Sequence, residues 1–159
     1  MEISYPDEVT IAGVQEFAAP KELVFEVFTQ PEHLKQTLTP FDEKIVALEF
    51  DVRPGGMYDY TFVTPDGKPY RFFGQYLEVQ KSKKLISTWH FSGWDSVEAV
   101  ETLDFHDLGN QTLMNYQLRF RTPEGRAHMS KVDGVEAGYL KVNEYLINLQ
   151  KDNNDRRIF

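Results

Sequence analysis

Between Lys44 and Arg121 the chain repeats a two-residue apolar/polar period in one segment after another, and then switches once to a helical period. Met114, Tyr116, Leu118 and Phe120 alternate with Asn115, Gln117 and Arg119, so that one face of the segment is apolar and the other wet. The same pattern predicts strands over Ile45–Phe50, Met57–Val63, Tyr70–Val79, Leu85–Phe91, Ser96–Phe105 and Thr112–Arg121. Pro54-Gly55-Gly56, Pro65-Asp66-Gly67, Lys81-Ser82-Lys83-Lys84 and Asp107-Leu108-Gly109-Asn110 supply the turns between them. Strands joined by such short turns pair antiparallel, and their common apolar face must be covered by something.

The cover is the C-terminal segment. Val135, Tyr139, Val142, Leu146 and Leu149 recur at spacings of 4, 3, 4 and 3, one stripe of a helix predicted over Ser130–Gln150. Ser130-Lys131-Val132-Asp133 reads as its capping-box-like start. Gly134 and Gly138 each cost that helix about 1 kcal/mol relative to alanine. They mark either a close approach to the backbone or a poorly optimised helix start. The polar tail Lys151–Arg157 is expected to fray.

Ahead of the strand run, Val9, Ile11 and Phe17 mark a first strand. Ala19-Pro20 then opens a short helix with Leu23, Val24, Val27 and Phe28 on one side, because proline is tolerated where the first-turn N–H has no partner. Pro31 opens a second, to about Lys35, and Thr37–Phe41 is a loop. The order strand, two short helices, six strands, long helix defines an α+β helix-grip fold, a curved antiparallel sheet wrapped around the C-terminal helix. The expected organisation is one domain over residues 1–159, with its core at about 9–150.

Charge and composition narrow the function. With 17 Lys+Arg against 25 Asp+Glu the net charge is −8, which opposes nucleic-acid and anionic-membrane binding. The absence of cysteine excludes disulfides, thiolate metal sites and a cysteine nucleophile. No segment has the roughly 18 apolar residues of a membrane span. The acidic stretch Met1–Glu8 has neither the basic nor the apolar part of a leader, so a cytoplasmic location is expected. His33, His90, His106 and His128 are scattered, and only His90 and His106 with Asp104 could meet on neighbouring strands. No metal, cofactor or catalytic residue is assigned, and no G-x-S-x-G elbow is present. Arg53-Pro54-Gly55-Gly56 suits a tight turn better than an anion loop, with Arg53 pairing Asp51 or Asp59.

The aromatic residues are the strongest functional lead: 12 Phe, 8 Tyr and 2 Trp, or 14% of the chain. Neighbours such as Phe72 and Phe73 must face opposite sides of a strand, and one helix covers one side only. Some rings therefore line a cavity or form an exposed patch. The favoured expectation is a cavity for a small hydrophobic ligand, lined by Tyr60, Phe73, Trp89, Phe91, Tyr116 and Tyr139. Glu101 is its polar contact, since it interrupts the apolar alternation Val97, Ala99, Leu103, Phe105. For Glu98 and Glu101 alike a sheet-edge ion pair is the commoner explanation, and an acid/base role would need a carboxyl held in an apolar pocket.

Several stretches also resemble a known group. Phe17-Ala18-Ala19-Pro20 with Val24-Phe25, and Thr29-Gln30-Pro31-Glu32-His33-Leu34, look like the opening of START-like (SRPBCC) helix-grip proteins. Asp51-Val52-Arg53-Pro54-Gly55-Gly56-Met57-Tyr58 is similar to the D-x-R-x-G-G-x-aromatic signature of the activator of heat-shock-protein ATPase homologue-like branch. Gly74–Val79, Lys84-Leu85, Thr88-Trp89, Gly109–Thr112 and Gly138-Tyr139 follow in the order of that family. Two positions depart from it: Lys35–Pro40 lacks the tryptophan often found there, and Tyr139 stands where the family has Gly-Trp. The resemblance implies the helix-grip fold and a cavity. It admits as alternatives a chaperone-cofactor-like interaction module, with a chaperone or other protein as partner, and a polyketide cyclase/dehydratase-like enzyme. A homodimer is compatible with either.

Overall fold

A computed structural model describes residues 2–39, 43–92, 98–130 and 134–158. The strands are β1 (Glu2–Ser4), β2 (Thr10–Phe17), β3 (Lys44–Phe50), β4 (Met57–Val63), β5 (Pro69–Gln80), β6 (Lys84–Phe91), β7 (Glu98–Asp107) and β8 (Thr112–Phe120). The helices are α1 (Lys21–Thr29), α2 (Pro31–Thr37), α3 (Pro123–Ser130) and α4 (Gly134–Ile158). All eight strands form one antiparallel sheet in the order β1-β2-β8-β7-β6-β5-β4-β3. This is the α+β helix-grip architecture expected from the alternation.

The sheet curves because its ladder is interrupted. The β3–β4 register shifts between Ile45 and Ala47, and the β5–β6 register between Tyr76 and Glu78; an extra residue on one strand bends it and increases its twist. Beside the second irregularity stands Gly74, where a Cβ would lie 2.0 Å from the Thr88 carbonyl oxygen and 2.8 Å from the Tyr58 ring. Only glycine lets the two strands and that ring come so close, and the Tyr58 hydroxyl uses the approach to donate to the same carbonyl at 2.9 Å.

The concave face carries the even-numbered rings of β4 and β5 and the even-numbered residues of β8. Met114 is fully buried and Tyr116 2% exposed, while Asn115, Gln117 and Arg119 face solvent. The helices pack on that face. Phe17, Phe28 and Tyr139 meet edge to face or tilted, with centroids 5.8–6.5 Å apart, and Leu146 of α4 has no exposed surface. Polar ties pin α4 at the side of α1 and α2. Asn143 Oδ1 accepts from the Ala18 N–H (2.9 Å), Gln150 Nε2 donates to the Ala18 carbonyl (2.7 Å), and His33 Nδ1 lies 2.6 Å from the Tyr145 hydroxyl.

The structure adds two elements that the sequence pattern did not indicate, β1 and α3, and carries α4 further than expected. The edge strand β1 is too short for a period to show in its sequence. Residues 123–130 form α3, whose start is closed by Thr122 Oγ1 accepting from the Gly125 N–H at 3.0 Å. Ser130 therefore ends α3, and the rest of the capping-box-like stretch, residues 131–133, lies outside the described residues. α4 runs to Ile158, through the stretch expected to fray, with no glycine or proline after Gly138 to stop it. The start of the predicted Ser96–Phe105 strand also lies outside the described residues, and β7 begins at Glu98.

The turn at Arg53–Gly56 is tight. Gly55 has φ +85°, Gly56 would place a Cβ 2.0 Å from the Asp51 carbonyl oxygen, and the Gly56 N–H donates to the Arg53 carbonyl at 2.8 Å. Arg53 pairs with Asp51 (2.8 Å), while Asp59 pairs with Arg71 (2.6 Å).

Candidate functional site: a ring-walled cavity

Because the sheet curves away from α4, the two do not meet along their whole length. The space between them is a cavity of about 300 Å³. A pocket of this size is at the small end of the range for organic ligands, about 300–1,000 Å³. The inner faces of β4, β5 and β6 give it Tyr58, Tyr60, Phe62, Phe72, Tyr76 and Trp89. From the opposite side α1 and α2 add Phe28 and Leu34, and α4 adds Gly138, Tyr139 and Val142. The strand rings lie in a series, stacked from Phe50 to Phe72 and tilted at Trp89. Phe50 lies 5.4 Å from Tyr58 and 5.9 Å from Tyr60, Tyr60 5.3 Å from Phe72, and Phe72 5.3 Å from Trp89.

Five of the seven predicted site residues line this cavity: Tyr60, Trp89, Glu101, Tyr116 and Tyr139. The other two do not. Phe73 is on the outer face, stacked on His90 with centroids 4.9 Å apart and covered by the Arg71 guanidinium at 4.3 Å. Its odd number places it opposite Phe72, as the alternation requires. Phe91 shares the inner side with Trp89 but stacks behind Phe72 (4.8 Å) and Tyr70 (5.6 Å), outside the lining.

Glu101 is the unusual member. Its strand neighbours place it on the concave face, opposite Ser87 of β6 and Leu118 of β8. Among the described residues no hydrogen-bond or ion-pair partner reaches its carboxyl, whereas Glu98 pairs with Arg121 at 3.1 Å on the outer face. The two glutamates thus divide the two readings open to them: Glu98 is the surface ion pair, Glu101 the carboxyl in an apolar pocket. Burial raises the Glu101 carboxyl to about 7 from an ordinary 4.5, because the low-dielectric wall disfavours its charged form.

The surrounding phenols respond in the same direction. Burial raises Tyr58, Tyr60, Tyr76, Tyr116 and Tyr139, and the nearby Glu101 charge raises each further, so all five stay neutral donors at physiological pH. The Tyr116 hydroxyl is buried with no hydrogen-bond partner among the described residues. Its ring meets Tyr139 edge to face at 5.5 Å. Sequence reasoning did not select Phe28, Ser87 or Met129 as lining residues, because their neighbours across the cavity come from distant segments. It did single out Gly138. Among the described residues a Cβ there would meet no atom within 4 Å beyond its own helix, and the position opens onto the cavity.

Among the described residues no three His, Asp or Glu side chains converge as a metal site. His90 is 3.8 Å from Glu98, His106 is 3.0 Å from Asn115, and His33 is on Tyr145. No described helix is long and apolar enough to cross a membrane.

A family profile described as activator of Hsp90 ATPase homolog 1-like protein matches residues 18–146, which includes both short helices, β3–β8 and the cavity-facing part of α4. The chain belongs to this family. Solved structures share its fold. A Nitrosomonas europaea protein is 24% identical, with a TM-score of 0.79 over 93% of this chain and 99% of its own. A Rhodobacter sphaeroides protein is 19% identical, with a TM-score of 0.84 over 92% and 98%. A Mycobacterium smegmatis protein is 18% identical, with a TM-score of 0.81 over 92% and 96%. At these identities what is shared is the helix-grip fold. No curated protein matches the chain.

Proposed function

We propose that this family member binds a small, mainly apolar ligand in the cavity between the sheet and α4. One observation carries the reading: a 300 Å³ space walled by aromatic rings into which the Glu101 carboxyl, without a partner among the described residues, projects. A core serving stability alone gains from filling such a space, since voids forfeit packing. Tyr60, Trp89, Tyr116 and Tyr139 are the ring contacts in this reading, and Glu101 and the Tyr116 hydroxyl are its polar ends.

Trp89 provides the assay. Titration with fatty acids, sterols and aromatic polyketide-like compounds is expected to change its emission saturably, and Trp89→Phe is expected to lose the change. Native mass spectrometry of the freshly purified protein is expected to show a bound small molecule. A protein that shows neither a bound molecule nor a saturable response to any of the panel refutes the reading.

A second reading, a protein-docking module, draws on the family description and on the exposed Val46 (60%) and Met57 (56%) of β3 and β4. It predicts a stable protein partner with no response of Trp89 to small molecules.

A further inference from the structure

The cavity has a sign as well as a shape. Glu101 projects a carboxyl into its lining, and among the described lining residues there is no lysine, arginine or histidine. Among the described residues, the titratable groups that interact with Glu101 are the phenols of Tyr58 and Tyr60 on β4, Tyr76 on β5, Tyr116 on β8 and Tyr139 on α4. All of them are held neutral by burial. Lys141 of α4 stays outside the lining, with its ammonium donating to the Thr39 carbonyl at 2.5 Å.

From this we infer, building on the ligand-binding reading above, that the cavity selects hydrophobic organic amines, with the apolar body against the ring wall and the protonated nitrogen at Glu101. A buried carboxylate without a partner is costly, and an opposing cation is the group that offsets the cost most directly. The ring faces of Tyr60, Phe72 and Trp89 add attraction, since aromatic quadrupoles draw a cation but not an anion. A fatty-acid carboxylate in the same place would set like charge against Glu101.

Amine binding at this carboxyl depends on pH. An alkylamine stays protonated between pH 6 and 8, while Glu101, with its carboxyl near 7, passes from mostly neutral to mostly ionised. Amine affinity should therefore rise by up to about tenfold across that interval, following the ionised fraction, and a neutral ligand should show no such rise.

The test is calorimetry with three probes sharing one apolar body: 2-naphthylmethylamine, 2-naphthylmethanol and 2-naphthoate. At pH 8 the amine is expected to bind at least about tenfold tighter than the alcohol, as a hydrogen bond to a charged group would give, and naphthoate more weakly than either. In Glu101→Gln the amine-to-alcohol ratio is expected to fall to about one. Should that variant fold poorly, the wild-type pH series decides the same question, and an amine affinity that stays flat across it overturns the inference. Equal affinities for amine and alcohol, tightest binding of naphthoate, or a ratio unchanged in Glu101→Gln each overturns the amine inference while leaving the ligand-binding reading intact. Binding of none of the three overturns the amine inference, while the ligand-binding reading falls only if the broader panel and native mass spectrometry are negative as well.

Discussion

The carboxyl of Glu101 makes stability depend on pH in a way that can be worked out. In the unfolded chain it is an ordinary side chain that releases its proton near 4.5; in the fold it holds that proton until about 7. Between these values the native state keeps a proton that the unfolded state has lost, so stability falls as pH rises through the interval. Below 4.5 both states are protonated and above 7 both are ionised, so the contribution is flat at either end. At about 1.4 kcal/mol per pH unit the interval is worth about 3 kcal/mol. Glu101→Gln keeps the shape and removes the charge. The stability of the variant relative to the wild type should therefore climb by about 3 kcal/mol between pH 4 and pH 8. In thermal terms this is on the order of 10 °C for a domain of this size. Urea denaturation of both proteins at pH 4, 6 and 8, without added ligand, measures it. Taking the difference between the two proteins cancels the other titrating groups, which they share. A difference that does not vary with pH would mean that the carboxyl is solvated in the fold, and would remove the desolvation argument together with the cation argument built on it.

Two further substitutions probe the cavity and its wall. Gly138→Leu places a side chain in open space and improves a helical position. It should raise stability by about 1 kcal/mol from propensity alone, seen as a higher unfolding midpoint, and abolish the ligand response of Trp89. Gly74→Ala, in contrast, drives a methyl into the Thr88 carbonyl and the Tyr58 ring; it should cost roughly 1–3 kcal/mol by overpacking and lower the midpoint at constant m-value.

The alternation of Met114 through Phe120 and of Tyr58 through Phe62 was legible because strand side chains change face at every residue, whatever lies on the other side. Boundaries of β3, β4 and β8 agree with the sequence reading to within a residue or two for that reason. α3 was not legible: Pro123–Ser130 has little apolar period, and what holds it is a cap from Thr122 and packing of Met129 on the core. Phe73 shows the limit at the site. Its ring is as apolar as that of Phe72, and composition cannot tell which of two adjacent rings faces the helix. Phe91 shows another limit, since it lies on the right face of β6 but too far along the strand to reach the space beside α4.

What the amino-acid order determined alone was therefore the central strands, the two short helices after the first long strand, the long C-terminal helix and the antiparallel pairing, because period and turn chemistry act between near neighbours; β1 and α3 were left to the tertiary structure. The amino-acid order also singled out Glu101 as a charge among apolar residues. Only the tertiary structure decided what that charge meant. Whether a carboxyl stands in an ion pair or in an apolar-walled cavity depends on what the other strands and α4 bring opposite it, from residues up to tens of positions away. The dielectric around Glu101 is a property of that assembled wall, and so is its elevated proton affinity.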